Sequence, residues 1–308
     1  MNGCEKLVLA HGKLRFTAWT RGRGPCVLLL HGFPDLPQTW EDLMRTLDEA
    51  GYKAAAVTNR GYETSSVSPL QDYQLITLAE DVFAWLKALG EESVHLIGHD
   101  WGAAIASAAA AKHPALFRSL CMVSLPHSGR FAEFAAKSLK QLWMSRYIML
   151  FQLQGTAERK VMRGGCLYLE TLWRRWSPGW TIPEASIAAV RERFQDPAIV
   201  TAAMSYYRQG ADTRSDAGRA SRDLANGAIA VPTLGIHGEI DGCIDSTLFR
   251  RAMIGEDFPD GVSVETMTGC GHFPHLEQPE AFRLRILDWL RQHDGGRDGK
   301  KEERESGA

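Results

Sequence analysis

The stretch Val94-His95-Leu96-Ile97-Gly98-His99-Asp100-Trp101-Gly102-Ala103-Ala104 decides the fold. An apolar run meets a turn in which Gly98 and Gly102 stand on either side of one acidic residue. A run of small residues follows, Ala103 to Ala111. That order predicts a buried strand, a sharp turn and a helix. The turn has the form of a nucleophile elbow, in which glycines let a strained residue lift its side chain above a sheet. Serine is the usual occupant, whereas here it is Asp100. A carboxylate is ionised at neutral pH and needs no base before it attacks. The occupant therefore changes the predicted chemistry.

Outward from this point the pattern repeats. Lys6–Ala10 and Lys13–Trp19 alternate apolar and polar residues around His11-Gly12, which predicts an antiparallel hairpin at a sheet edge. Cys26–Leu30 is a continuous apolar run, as in a strand covered on both faces, and it ends at His31-Gly32-Phe33-Pro34-Asp35. Helical spacing over 38–50 and 75–89 alternates with strands over 53–58, 94–97 and 117–124. This alternation predicts a mostly parallel central sheet flanked by helices. Between 129 and 226 strand-like sequence gives way to aromatic-rich helical segments at 131–151, 157–163, 167–176, 187–194 and 199–209. We read residues 1–128 and 227–293 as a core, 129–226 as an inserted helical cap, and 294–308 as a disordered, charged tail. The final strands are expected at 231–237 and 262–266, before an amphipathic helix over 279–292.

Bulk properties exclude several functions. The formal net charge of −2 gives no support to polyanion binding, so no nucleic-acid partner is expected. No apolar run approaches the roughly 20 residues of a membrane span. The N-terminus lacks a signal-peptide pattern, which leaves a cytoplasmic protein as the expectation. Six cysteines lie far apart without a CxxC pair, so reduced thiols are expected rather than disulfides or a metal site.

Three chemistry-bearing pieces follow predicted strands: Asp100, Gly238-Glu239-Ile240-Asp241, and Gly269-Cys270-Gly271-His272-Phe273. Loops at one end of a parallel sheet converge where ligands bind. With HGFPD at 31–35, NRGYETSS at 59–66, GHDWGA at 98–103 and GCGHFPHLEQPE at 269–280, the chain resembles the α/β-hydrolase superfamily, and within it the epoxide hydrolases. The resemblance spans most of residues 6–293. It implies an α/β-hydrolase fold, with Asp100 as nucleophile, His272 as general base and Asp241 orienting the imidazole. Asp245 is a rival to Asp241, and His275 to His272. The backbone N–H groups of Phe33 and Trp101 would form the oxyanion hole, with a cis peptide before Pro34. His31 would brace its loop, and His99 would be structural.

The aspartate elbow is shared with haloalkane dehalogenases. The cap separates the two. Tyr147–Glu158 resembles the family's Y-x-x-x-F-Q-x-x-G-x-A-E stretch, and Ser205-Tyr206-Tyr207-Arg208 resembles the segment of the second cap tyrosine. Tyr147 and Tyr207 would then donate protons to an epoxide oxygen, Tyr206 being the rival position. A halide needs only N–H donors, and the asparagine that usually supplies one after His-Gly is here Phe33. A small apolar epoxide is the implied substrate, with no cofactor or metal, in a monomer or homodimer. Trp143, Met144, Met149 and Trp173 are expected to line its pocket. A dehalogenase is the alternative enzyme, and a non-catalytic ligand-binding protein on this scaffold is a third possibility. Asn59 and Glu63 depart from the family pattern, which has an acidic residue and a second glycine there.

Overall fold

A computed structural model describes residues 1–294. Eight strands form one sheet: β1 (Glu5–His11), β2 (Leu14–Arg21), β3 (Cys26–Leu30), β4 (Lys53–Val57), β5 (Val94–His99), β6 (Phe117–Val123), β7 (Thr233–Gly238) and β8 (Val262–Met267). Their order is β1-β2-β4-β3-β5-β6-β7-β8. β1 and β2 form the expected antiparallel hairpin, and β2 joins β4 antiparallel. Every pair from β4 through to β8 is parallel. Parallel strands need crossovers, which α1 (Glu41–Glu49), α2 (Leu75–Leu89) and α3 (Trp101–Lys112) supply in the first half.

The sheet is covered on both faces, which is why β3, β5 and β7 are buried at every position. α3 is buried from Gly102 through Ala110. Its alanines let the helix sink against the sheet, where larger side chains would hold it away. The two elbow glycines are required by close approach. A Cβ on Gly98 would lie 2.2 Å from the Gly102 carbonyl oxygen, and one on Gly102 would lie 2.3 Å from that of Leu30.

The chain between β6 and β7 is helical: α4 (Ser128–Ala135), α5 (Leu139–Met144), α6 (Arg146–Gln152), α7 (Thr156–Trp176), α8 (Glu184–Arg193), α9 (Pro197–Gly210) and α10 (Asp216–Asn226). The single helix expected over 131–151 is instead three. Ser138 breaks it, with its hydroxyl accepting the Gln141 N–H and capping α5. α7 joins two expected helices, with non-helical backbone from Arg163 to Cys166 between them. α10 was not anticipated, because its sequence is polar; Ser215 caps it by accepting the Gly218 N–H. After β7 come α11 (Ser246–Ala252), α12 (Pro274–Glu277) and α13 (Pro279–Arg291).

All six cysteines are free, five of them buried. No described helix is long and apolar enough to cross a membrane. The expected tail lies outside the described residues from 295 onward. Its first residue, Asp294, accepts a hydrogen bond from the Tyr52 hydroxyl at 2.6 Å.

Candidate active site

Asp100 stands between β5 and α3 with φ 50° and ψ −120°. A non-glycine residue at positive φ costs of order 1–3 kcal/mol and persists where surrounding structure enforces it. Here its N–H donates to the Val123 carbonyl at 2.9 Å, and its carbonyl accepts from Ala103 at 2.8 Å. The two carboxylate oxygens face different partners. Oδ1 accepts the Phe33 N–H at 2.9 Å. Oδ2 lies 3.6 Å from His272 Nε2. The peptide between Phe33 and Pro34 is cis, as expected. Trp101 opens α3, so its N–H has no intrahelical acceptor.

His272 follows β8, and its Nδ1 lies 2.8 Å from Asp241 Oδ2. Asp241 Oδ1 is held by the N–H groups of Cys243 at 2.7 Å and Ile244 at 3.0 Å. Asp241 thus turns one oxygen to its own loop and the other to the imidazole. Burial opposes the charged form of His272, but the Asp241 and Asp100 carboxylates outweigh it and push its pKa up to about 10. Burial likewise opposes ionisation of Asp100. His272, with help from the Phe33 N–H, holds the carboxyl below its usual range despite it. Both carboxylates thus favour the protonated imidazole.

The rivals fall elsewhere. Asp245 caps α11 by accepting the Leu248 N–H at 3.0 Å and pairs with Lys140. His275 Nε2 contacts Thr39 Oγ1 at 2.6 Å, and its ring stacks on Trp40. The Tyr206 hydroxyl donates to the Arg60 carbonyl at 2.6 Å, which turns it away from Asp100. His31 accepts the Asn59 N–H at 3.1 Å through Nε2, and the Asn59 side chain donates to the His31 carbonyl at 2.6 Å. Asn59 thus locks the loop after β3 to the loop after β4. Glu63 accepts from the Thr17 N–H at 2.6 Å and hydroxyl at 2.7 Å. Both departures from the family pattern therefore have structural employment away from Asp100.

Tyr147 on α6 and Tyr207 on α9 share one cavity with Asp100, about 690 Å³ in volume. Their rings meet edge-on at 5.7 Å. The Tyr207 hydroxyl is buried without a well-formed hydrogen bond. That of Tyr147 makes one long contact, 3.6 Å to Cys243 Sγ. Burial raises both phenols well above 10, and the charge of Asp100 adds to the effect. Both are protonated at neutral pH.

A family model described as the alpha/beta hydrolase fold matches residues 25–279. The chain belongs to the α/β-hydrolase fold family. Epoxide hydrolase A of Mycobacterium tuberculosis is 26% identical over 317 aligned residues, covering 93% of this chain and 97% of that protein. An epoxide hydrolase from an endophytic Streptomyces superimposes with a TM-score of 0.77 at 27% identity, over 96% of this chain and 98% of the other. One from Vigna radiata has a TM-score of 0.80 at 23% identity over 95% and 99% of the two chains, a likeness of fold.

Sequence reasoning missed how this hydrolase-fold site is supported. The end of α7 holds the histidine loop, since the His272 N–H lies 3.1 Å from the Trp176 carbonyl and 3.0 Å from Ser177 Oγ. The same Trp176 carbonyl accepts the Gly242 N–H at 2.9 Å, beside Asp241. No local signal marks these partners, which lie far apart in sequence. None of the four residues expected to line the pocket, Trp143, Met144, Met149 and Trp173, does so. Trp143 and Met149 are 68% and 71% exposed, and the buried Trp173 donates its indole N–H to the Pro34 carbonyl at 2.9 Å. The cavity is lined instead by Leu75, Trp101, Leu125, Phe131, Ile148 and Ile244, among others. Among the described residues, Asp35, His99 and His275 form a buried group whose ligand atoms lie within 4.8 Å of one another. Burial pushes the His275 pKa down to about 3 and the Asp35 carboxyl up to about 7.

Proposed function

We propose that this protein is an epoxide hydrolase that converts an apolar epoxide and water to a vicinal diol through a covalent ester on Asp100. The observation that carries the reading is the single cavity holding Asp100 with two buried, protonated phenols, Tyr147 and Tyr207. An epoxide carbon is attacked from the back while its oxygen departs, so acid and nucleophile must flank the ring. Related proteins named as epoxide hydrolases support the same class.

The charges define the order of steps. Asp100 Oδ2 attacks the epoxide carbon as the C–O bond breaks, and the oxygen takes a proton from a phenol. Esterification removes the Asp100 charge, one of the two that raise the His272 pKa. The imidazolium then gives up its proton, restoring the phenol, and is left neutral. It next takes a proton from water, and hydroxide attacks the Asp100 carbonyl carbon. The developing oxyanion is Oδ1, which the Phe33 N–H already meets, with the Trp101 N–H as second donor. Each such donor contributes about 3 kcal/mol. Collapse releases the second alcohol oxygen, which takes the acid proton, and Asp100 carboxylate and His272 imidazolium return. The resting imidazolium therefore restores the phenol that opened the ring and becomes the base of the second step.

A haloalkane dehalogenase is the second reading, because the Trp101 indole also lines the cavity. The Trp176 indole N–H is buried and unpartnered but is not among the groups lining it. A mixed panel of epoxides and chloroalkanes, scored for diol and halide together, tests the choice. Diol without halide is expected, and halide release without diol reverses it. Single turnover in heavy-oxygen water should leave the label on Asp100, and His272→Gln should accumulate the ester as an intact-mass increase. Label appearing directly in the diol would sink the covalent route. Tight ligand binding without turnover across the panel would point to a binding protein.

A further inference from the structure

Helices α5 and α6 turn apolar side chains in two directions. Inward, Tyr147 and Ile148 line the cavity. Outward, Leu139, Leu142 and Trp143 follow the i, i+3, i+4 spacing of one helical face and are 86%, 50% and 68% exposed. Met149 and Leu153 continue the outward set at 71% and 56% exposed. The Arg146 guanidinium lies 4.0 Å over the Trp143 ring and bridges the two helices. Scattered single exposed apolar residues are ordinary, but five within fifteen residues of a wall that must also close a cavity are not.

Basic residues predominate along this part of the chain. From 137 to 163 the chain carries six basic residues and one acidic residue, in a protein whose net charge is −2. Lys137 and Lys140 pair with Glu133 and Asp245. Arg146, Arg159, Lys160 and Arg163 make no ion pair among the described residues. The last three are exposed on α7, which packs against α6. Exposed Trp, Leu and Met, with Arg146 against Trp143 and further unpaired basic groups on the adjoining helix, match the chemistry of an anionic lipid surface: apolar side chains enter the acyl boundary while cations meet phosphate and carboxylate headgroups. Such docking lies on a bilayer and needs no spanning helix.

We propose that the outer face of α5 and α6, led by Trp143 and Met149, docks the protein peripherally on an anionic phospholipid surface. Under the epoxide hydrolase reading this sets the cavity wall beside the phase in which an apolar substrate concentrates, but the docking itself does not depend on that reading. The test is sedimentation of the full chain with phosphatidylcholine vesicles, with and without phosphatidylserine. Binding to the mixed vesicles alone, weakened by salt, is expected. Trp143→Ser with Met149→Ser should lower vesicle partitioning about tenfold, with an unchanged melting temperature and unchanged turnover of a water-soluble substrate. Equal partitioning of wild type and double variant would overturn the proposal. So would a sedimentation-velocity dimer that the double variant dissociates, since a second copy would then be the occupant. Failure of the epoxide reading would appear as absent diol whatever the vesicle result.

Discussion

At the residue scale, division of labour between two oxygens of one carboxylate organises the site. Asp100 Oδ1 is bound to an amide that suits an oxyanion, and Oδ2 is left facing the cavity chemistry. Tyr147→Phe or Tyr207→Phe alone should lower ring opening about a hundredfold, and both together should bring it to background, read as ester formation in a single turnover. The loss should fall on ester formation, leaving hydrolysis of preformed ester intact. The shifted pKa values also give a stability profile. His272 is raised above 6.5 to about 10, so its contribution is fully present below pH 6.5 and lost as pH climbs through about 10. Asp100 is depressed below 3.8, so its contribution is present above that value and lost as pH falls through its lowered pKa. Thermal melts should therefore be flat between pH 3.8 and 6.5, decline as pH falls below that window, and decline through neutrality as pH rises toward 10. In His272→Gln the alkaline decline should be shallower, and an unchanged alkaline slope would contradict the assignment.

At the element scale, the end of α7 acts as a fixed wall for both loops that carry His272 and Asp241. The fit is backbone to backbone: a Cβ on Gly271 would lie 2.4 Å from the Ser177 Cα. Gly271→Ala should displace His272 relative to Asp100, lowering kcat more than tenfold with a modest fall in melting temperature. A variant that melts earlier yet keeps wild-type kcat when folded would show that the contact is stabilising only. Sequence reasoning gave the glycine a place in a motif, whereas its reason is a helix end nearly a hundred residues away. The helical segment between β6 and β7 shows a similar limit. Apolar spacing over 131–151 runs through Ser138 and Ser145, and periodicity alone does not register where a serine cap interrupts the helix.

At the scale of the whole molecule, one buried ion pair joins distant parts. Asp81 on α2 accepts from Arg60 Nε and Nη2, at 2.7 and 2.6 Å, and meets His11 Nδ1 at 2.6 Å. The Arg60 carbonyl in turn receives the Tyr206 hydroxyl, adjacent to Tyr207. Hairpin, α2, the loop after β4 and α9 are thereby tied together. Asp81→Asn keeps the shape but leaves Arg60 buried without its counter-charge, which should cost about 3 kcal/mol in chemical denaturation. Turnover well below the melting temperature should persist, because none of these groups touches substrate.

By itself, the sequence determined the α/β alternation, the strained elbow and the identity of its occupant, because those follow from local pattern: continuous apolar runs, small residues and flanking glycines. It also placed Asp100, Asp241 and His272, in that order, after three predicted strands. What only the tertiary structure decided was convergence. That Asp241 rather than Asp245 meets His272, that Tyr207 rather than Tyr206 faces Asp100, and that Trp143 and Met149 face solvent rather than the cavity, all depend on how helices pack across long separations. Neighbouring residues on one helix have similar local signals, and only the surface each meets on folding separates them.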